Sequence, residues 1–509
     1  MKILRLILGD QLNAAHSWFS KKDGQVLYVM MEIRQETDYV RHHVQKVIGF
    51  FAAMRGFATA LKKAGHRVKY IKIGDGNNRQ SLIENLLIII KDEGIEQFEY
   101  QLPDEYRLDI MLQDFSPGIP VSVADTEHFL TERNELAKLF EGKKSYLMET
   151  FYREMRMKHN IMVDEQMKPE GGKWNYDAEN RKKWKGDPAI PDFPLRAHNV
   201  SDLLQDIQNA GVETFGEVDT ENFAWPISRS ESRKVLEHFA KNLLPYFGKY
   251  QDAMHTEQRF LFHSRLSFAM NSKMLDPLEV VKRVIEEWRK RPTEIDIAQV
   301  EGFVRQIIGW REYMRGVYWA QMPSYAELNF FEHDLPLPEF YWTGDTKMNC
   351  LKHSIKQSLE EAYAHHIQRL MITGNFALLL GVHPDAVDNW YLGIYIDALE
   401  WVEITNTRGM SQFADGGIVG TKPYISAANY VNKMSNYCIG CDYERSKRVG
   451  DDACPFNALY WNFLDRHREK LAKNHRMSMM FRLVDKMPPE ERQAIASRAT
   501  EIRKNPDAY

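Results

Sequence analysis

VLYVMM (26–31), VQKVIGFFAAMRGFATALKKAG (44–65) and VKYIKI (68–73), taken in succession, decide the fold. The first and last are short apolar runs rich in Val, Ile and Tyr, the composition of buried strands. The middle one repeats its apolar residues at helical spacing and stops at Gly65. A strand, a helix and a strand in that order form a crossover unit, which favours a parallel sheet with helices on both faces. Working outward, Ile3–Leu8 reads as an earlier strand turning at Gly9-Asp10, Leu82–Ile90 as a helix, and Phe98–Leu102 as a fourth strand. Neither GxGxxG nor GxxxxGK[ST] follows any of these strands, so no ordinary nucleotide loop is signalled.

Beyond residue 135 the character changes. Arg153 to Lys185 carries nine Lys/Arg against six Asp/Glu, interleaved with Trp174, Tyr176 and Trp184. Bases with aromatics suit phosphate and nucleobase contacts, although a solvated linker has the same composition. From about 201 to the end helical spacing dominates, as in SRKVLEHFAKNLLPYF and DPLEVVKRVIEEW. The expected organisation is therefore an α/β domain over 1–135, a connector over 136–200 and a large all-α domain over 201–509.

A chain of 509 residues with 44% hydrophobic and 27% charged residues is globular, and its net charge of −4 excludes a surface that is basic throughout. No apolar run is long enough for a membrane span, and the N-terminus reads as a strand and not a secretory leader. The cytoplasm is the expected compartment. The four cysteines lie in the last third: Cys438-x₂-Cys441, then twelve residues, then Cys454-Pro455, with Cys350 as the remote fourth. Soft thiolates in that pattern point to a metal site, and three close thiols with one remote favour iron–sulfur over zinc.

Segments around the remote cysteine add a resemblance. VRQIIGWREYMRG (304–316), YWTGDTKMNC (341–350), AYAHHIQRLMITGNFALL (362–379), YIDALEWVE (395–403) and GMSQFADGGIVGTKPYIS (409–426) resemble the photolyase/cryptochrome family. Together with the cysteines they look like its bacterial iron–sulfur branch, the prokaryotic (6-4) photolyases, over essentially the whole chain. The resemblance implies a Rossmann-like parallel-sheet domain and an all-α domain binding FAD, a 4Fe-4S cluster on Cys350, Cys438, Cys441 and Cys454, and a 6,7-dimethyl-8-ribityllumazine antenna. It implies light-driven repair of ultraviolet-damaged DNA by a monomer. The alternative is a cryptochrome-type photoreceptor without repair activity.

Residue by residue, His365 and His366 match the family's His-His-x-x-Arg helix in the lesion pocket. Adjacent helical side chains diverge by about 100°, so His366 is expected to handle the proton and His365 to bind the lesion. Reversal of a (6-4) photoproduct returns a hydroxyl or amino group between bases, and imidazole suits that proton transfer. For FAD the resemblance points to His263, Ser264, Arg265, Leu266 and Ser267 along the phosphates and ribityl chain, with Arg311 and Arg369 nearby. Asp397 is expected at the flavin's polar edge and Glu403 facing N5. Trp342, Trp390 and Tyr391 sit where this branch has its electron relay, and Tyr424 is expected to stack on the lesion. In the α/β domain Asp10 and Gln11 follow the first strand and Glu36 the second, where open sheets bind ligands; these are the expected antenna residues.

Overall fold

The computed structural model describes residues 1–143 and 145–509. A five-stranded parallel sheet comprises β1 (Ile3–Leu6), β2 (Val26–Met31), β3 (Arg67–Ile71), β4 (Gln97–Gln101) and β5 (Val121–Ala124). Their spatial order is β3-β2-β1-β4-β5, with Ile3 of β1 opposite Val26 on one side and Gln97 on the other. Helices α1 (Val44–Lys63), α2 (Leu82–Glu93) and α3 (Tyr106–Gln113) make the crossovers. The period of two sorts β2 between faces. Leu27, Val29 and Met31 pack with Leu86 and Leu108 of α2 and α3, whereas Val26, Tyr28 and Met30 join the cluster that contains α1. The edge strand β5 escapes sequence reading because Val121 and Val123 are exposed and leave no buried face to pattern.

The α1 cluster does not end at the sheet domain. It continues through Phe268, Val300 and Ile307 of the helical part, so α1 is packed between the two. Gly49 makes that approach possible: a methyl there would lie 2.9 Å from Ile396 Cδ1 and 3.3 Å from Phe268 Cζ. A second core surrounds Trp390, Trp401, Tyr341 and Phe376. Within the 136–200 segment, the helix Met148–Lys158 sends Tyr152 into the first core and Phe151 and Met155 into the second. Among the described residues four helices widen into π turns, at Phe239–Leu243, Arg305–Arg311, Gln368–Gly374 and Thr405–Ser411. Such turns recur at functional sites, and here the last three carry Arg311 and Arg369 and follow the helix of Glu403. No helix among the described residues is long and apolar enough to cross a membrane.

One buried contact in the second core makes stability depend on pH. His333 and His467 meet Nε2 to Nε2 at 3.1 Å, packed on Phe331 and Phe463. Burial first, then the charges of Arg466, Arg503 and Lys470, push their pKa values down to about 2 and about 3. Unfolded histidines titrate near 6.5, so below that pH the unfolded chain takes up protons that the native pair refuses. The stability from this pair is whole above pH 6.5 and is lost as pH falls toward 3, by up to about 1.4 kcal/mol per pH unit for each ring. Urea midpoints measured from pH 7 to pH 5 should fall, and less steeply in His467→Gln. A flat profile would contradict the assignment.

Candidate functional site

The order β3-β2-β1-β4-β5 reverses between β1 and β4, so the connections leaving their carboxyl ends run to opposite sides and leave a crevice there. A cavity of about 140 Å³ occupies it. Gly9 and Asp10 enter from the end of β1, Glu36 from beyond β2, and Asp104 and Glu105 from beyond β4. Lys46 and Phe50 of α1 form the floor, and Leu399, Glu400 and Trp401 of the helical domain close the cavity. Glu36 is held by a two-pronged contact from Arg107, at 3.0 and 2.8 Å. Asp10 and Asp104 share the buried ammonium of Lys273, each at 2.7 Å. Burial pushes the Glu105 carboxyl up to about 8 and the Lys46 amine down to about 8.

Of the expected antenna residues, Asp10 and Glu36 line this cavity and Gln11 does not. The Gln11 side chain accepts from Leu8 N at 3.0 Å and donates to Gln101 O at 3.2 Å, stitching the end of β1 to the end of β4. Its amide is spent on backbone groups that would otherwise be buried without partners. Asp104 and Glu105 were legible by the rule that picked out Asp10, since both directly follow a strand. Glu400 and Trp401 were not, because they come from the other domain.

In the helical domain the expected flavin residues do not form a single cluster. Ser267 Oγ donates to Asp397 Oδ2 at 2.6 Å, and the Arg369 guanidinium forks onto the same carboxylate at 3.0 and 3.2 Å. Arg369 also lies flat over Tyr395, its Cζ 3.8 Å from the ring centre. Glu403 is buried, and its Oε1 has no partner. Burial, then Asp388 and Glu400, hold its pKa well above the carboxylate range. Arg265 has positive φ and inserts its guanidinium among Phe193, Phe260 and Trp225, with no carboxylate partner among the described residues. Leu266 is buried, and Ser264 Oγ accepts from Leu266 N in the turn that precedes the helix Ser267–Asn271. Arg311 reaches His128, Glu312 and the Met270 carbonyl. Those contacts brace the wall between the domains and do not join Arg311 to the Asp397 cluster.

His365 and His366 open the helix that carries Arg369. The His365 ring is buried and stacks on His263 with centroids 4.4 Å apart and planes 14° apart. Among the described residues neither nitrogen of His365 nor Nε2 of His263 has a hydrogen-bond partner. His366 is the exposed member of the pair. The dense wall around it, then Arg369, lowers its pKa to about 4. Unpartnered buried nitrogens and an unpartnered carboxyl oxygen mark this region as built for a polar ligand, because such groups are otherwise costly.

Trp390 and Tyr391 are adjacent buried rings, 5.1 Å between centroids, and Tyr391 continues to Tyr395 at 5.6 Å. Tyr391 Oη donates to the Arg369 carbonyl at 2.6 Å. Trp342 is half-buried and packs on Phe215 at 5.2 Å. Its chain neighbour Tyr341 packs on Trp390 at 5.1 Å. Tyr341 and Tyr395 gave no signal in the sequence, where they look like core.

All four cysteines are free thiols lining one cavity, together with Met348, Tyr437 and Phe456. Burial raises the pKa of Cys350, and that of Cys454 to about 12. The lining holds no carboxylate or imidazole. Among the described residues no three His, Cys, Asp or Glu groups lie close enough together to hold a single metal ion. Tyr424 is half-buried, and the charges of Arg476, Asp177 and Arg181 reach its phenol, so the connector turn and Tyr424 lie near one another.

Comparison with known proteins supplies the context. The (6-4) photolyase of Agrobacterium fabrum is 44% identical over 506 residues, covering 98% of each chain. An uncharacterized protein of Acanthamoeba polyphaga mimivirus is 37% identical over 100 residues, 20% of this chain and 74% of that one. The family profile described as "Deoxyribodipyrimidine photo-lyase-related protein" matches residues 5–225. A crystal structure of a bacterial class III photolyase from Agrobacterium tumefaciens superposes with a TM-score of 0.56 at 14% identity, over 99% of this chain and 98% of that one. A Synechocystis cryptochrome gives the same score and coverage at 10% identity.

Proposed function

This chain belongs to the photolyase family, in the branch of the (6-4) photolyases, and we propose that it is a DNA repair enzyme that uses light to reverse (6-4) pyrimidine–pyrimidone photoproducts. The observation that carries the reading is the exposed His366 beside Arg369, on a helix whose arginine is locked to Asp397. When bound, reduced FAD supplies an excited electron to the lesion and receives it back, so the reaction has no net redox change.

The chain does the rest. Asp397, held by Ser267 and Arg369, offers a fixed acceptor for the polar edge of the flavin. Glu403, whose pKa burial raises, has a free oxygen that would face N5 of a bound flavin. Arg265, a buried cation without a carboxylate, suits a phosphate. An imidazole nitrogen of His366 takes and returns the proton that the migrating hydroxyl or amino group must exchange, while His365, expected at the lesion, is instead buried against His263 behind it. Tyr424 and the connector approach from the DNA side. Arg476, Arg181 and Lys183 are the cations nearest to serve its phosphates.

The four-thiol cavity fits a 4Fe-4S cluster better than a single zinc ion, because its donors are all soft and stand too far apart for one ion. The sheet-end cavity is the place for the lumazine antenna, where Asp10 and Glu36 would accept from ring N–H and ribityl hydroxyl groups. We read the protein as a monomer of the cytoplasm.

Incubation with an oligonucleotide carrying one (6-4) lesion tests the function. Thymines should be restored under blue or near-ultraviolet light and not in the dark. Lesion binding without restoration, with the flavin reduced, would favour the photoreceptor instead. The relay has a separate test. Trp342→Phe should slow photoreduction of the flavin several-fold while leaving repair by chemically reduced protein unchanged, and equal photoreduction rates would remove Trp342 from the path.

A further inference from the structure

The turn that presents the two pocket histidines is fixed from a distance. The chain is helical from His366 onward, which makes His365 the cap and Gln368 the third helical residue. Gln368 Oε1 accepts the His365 backbone N–H at 3.1 Å, the reach-back half of a capping box. Its amide nitrogen donates to Gln357 Oε1 at 2.8 Å and to Tyr437 Oη at 3.0 Å. Gln357, Gln368 and Tyr437 are all buried. Each bond in such a network is electrostatically strong and costly to leave open.

Tyr437 is itself pinned. Its ring lies parallel to His353, 5.7 Å between centroids and 5° between planes. Its backbone carbonyl accepts from Asn349 Nδ2 at 2.8 Å, one residue before Cys350. The next residue along the chain is Cys438, and Tyr437 lines the cavity of the four cysteines. One residue therefore lines the cysteine cavity and, through its phenol oxygen, holds the side chain that caps the histidine turn.

We propose that Tyr437 is a positioning residue that ties the cysteine-lined cavity to the His365-His366 turn through Gln368, so that the state of the cavity is felt at the lesion pocket. The proposal rests on the reading of His366 as the proton-handling group. It gives the cavity a consequence for repair that does not require an electron to pass between the two sites. Freed from its cap, the turn would let the His366 ring move toward water, away from the wall that His263, His365 and Arg369 provide.

The test uses the full chain with its cofactors loaded. Tyr437→Phe removes only the phenol oxygen, and Gln368→Met removes both ends of the link without touching the cavity lining. Nitrogen-15-labelled histidine, followed in the dark without DNA, reports the His366 titration midpoint. It should rise by about one unit toward 6.5 in both variants. Light-driven repair at neutral pH should fall about fivefold, as expected for one hydrogen bond, with flavin content unchanged. If both variants keep the wild-type midpoint and repair rate, the proposal is overturned. An effect of Tyr437→Phe that Gln368→Met does not share overturns it as well, because the change then comes from the cavity alone. If Tyr437→Phe loses iron, Gln368→Met decides. His366→Ala runs alongside: retained repair there would defeat the functional reading and leave the midpoint shift as the measure of the link.

Discussion

His366→Ala should lower light-driven repair of the (6-4) lesion by about 10²–10⁴-fold, the span expected when a positioned acid–base group is lost. The electron can still reach the lesion in this variant, because the flavin-side residues Asp397, Arg369 and Glu403 are untouched. Without a group to move the proton, the reduced lesion returns its electron unrepaired. The loss should fall on turnover and not on binding. His366 is exposed, so its removal should leave the fold in place. Lesion affinity and flavin content are the controls, and both should stay within a few-fold of wild type. His365 makes the contrast. Its ring is buried against His263, so His365→Ala opens a cavity beside the flavin site and should weaken flavin retention as well as repair.

Cys350→Ala should remove the iron and most of the thermal stability of the helical domain together. Cys350 is buried in the first turn of the helix Asn349–Glu361, whereas the other three thiols lie on the segment from 438 to 454. The cavity they share is thus a staple between two parts of the chain distant in sequence. A ligand that binds only the folded state stabilises it by mass action, and structural metal centres do so strongly. Wild type should contain about four irons per chain, and the variant less than one. Its melting temperature should drop far more than removal of one thiol would cause. Ile439→Ser serves as control, because Ile439 lies between Cys438 and Cys441 with its side chain 73% exposed. Full iron in Cys350→Ala would dismiss Cys350 as a ligand.

What the sequence makes legible follows from what periodicity can carry. The crossover unit over 26–73 was readable because both faces of β2 are buried and α1 has a continuous apolar stripe. The edge strand β5 was not, since an exposed strand imposes no pattern. Asp10 and Glu36 follow strands, and the same rule extends to Asp104 and Glu105. Gln11 has the same sequence signal, yet its amide serves the backbone, a choice settled by neighbours that only the folded chain brings together. The closing of the cavity by Glu400 and Trp401, the Ser267–Asp397–Arg369 cluster and the Tyr437–Gln368 link all join residues far apart in the chain. Composition and spacing are silent on such contacts. Family motifs pointed to the residues proposed for the flavin and the lesion, but not to the cage of three aromatic rings around Arg265 or the turn of Arg311 to His128.

The most direct test of the account sets two oligonucleotides of identical flanking sequence side by side, one with a (6-4) photoproduct and one with a cyclobutane dimer. Both are illuminated with the reduced protein, and restored thymines are read by chromatography. A pocket built around a proton-handling histidine should restore the (6-4) strand and leave the cyclobutane strand as it was. Repair of the cyclobutane strand alone would contradict the account, because that reversal has no use for His366.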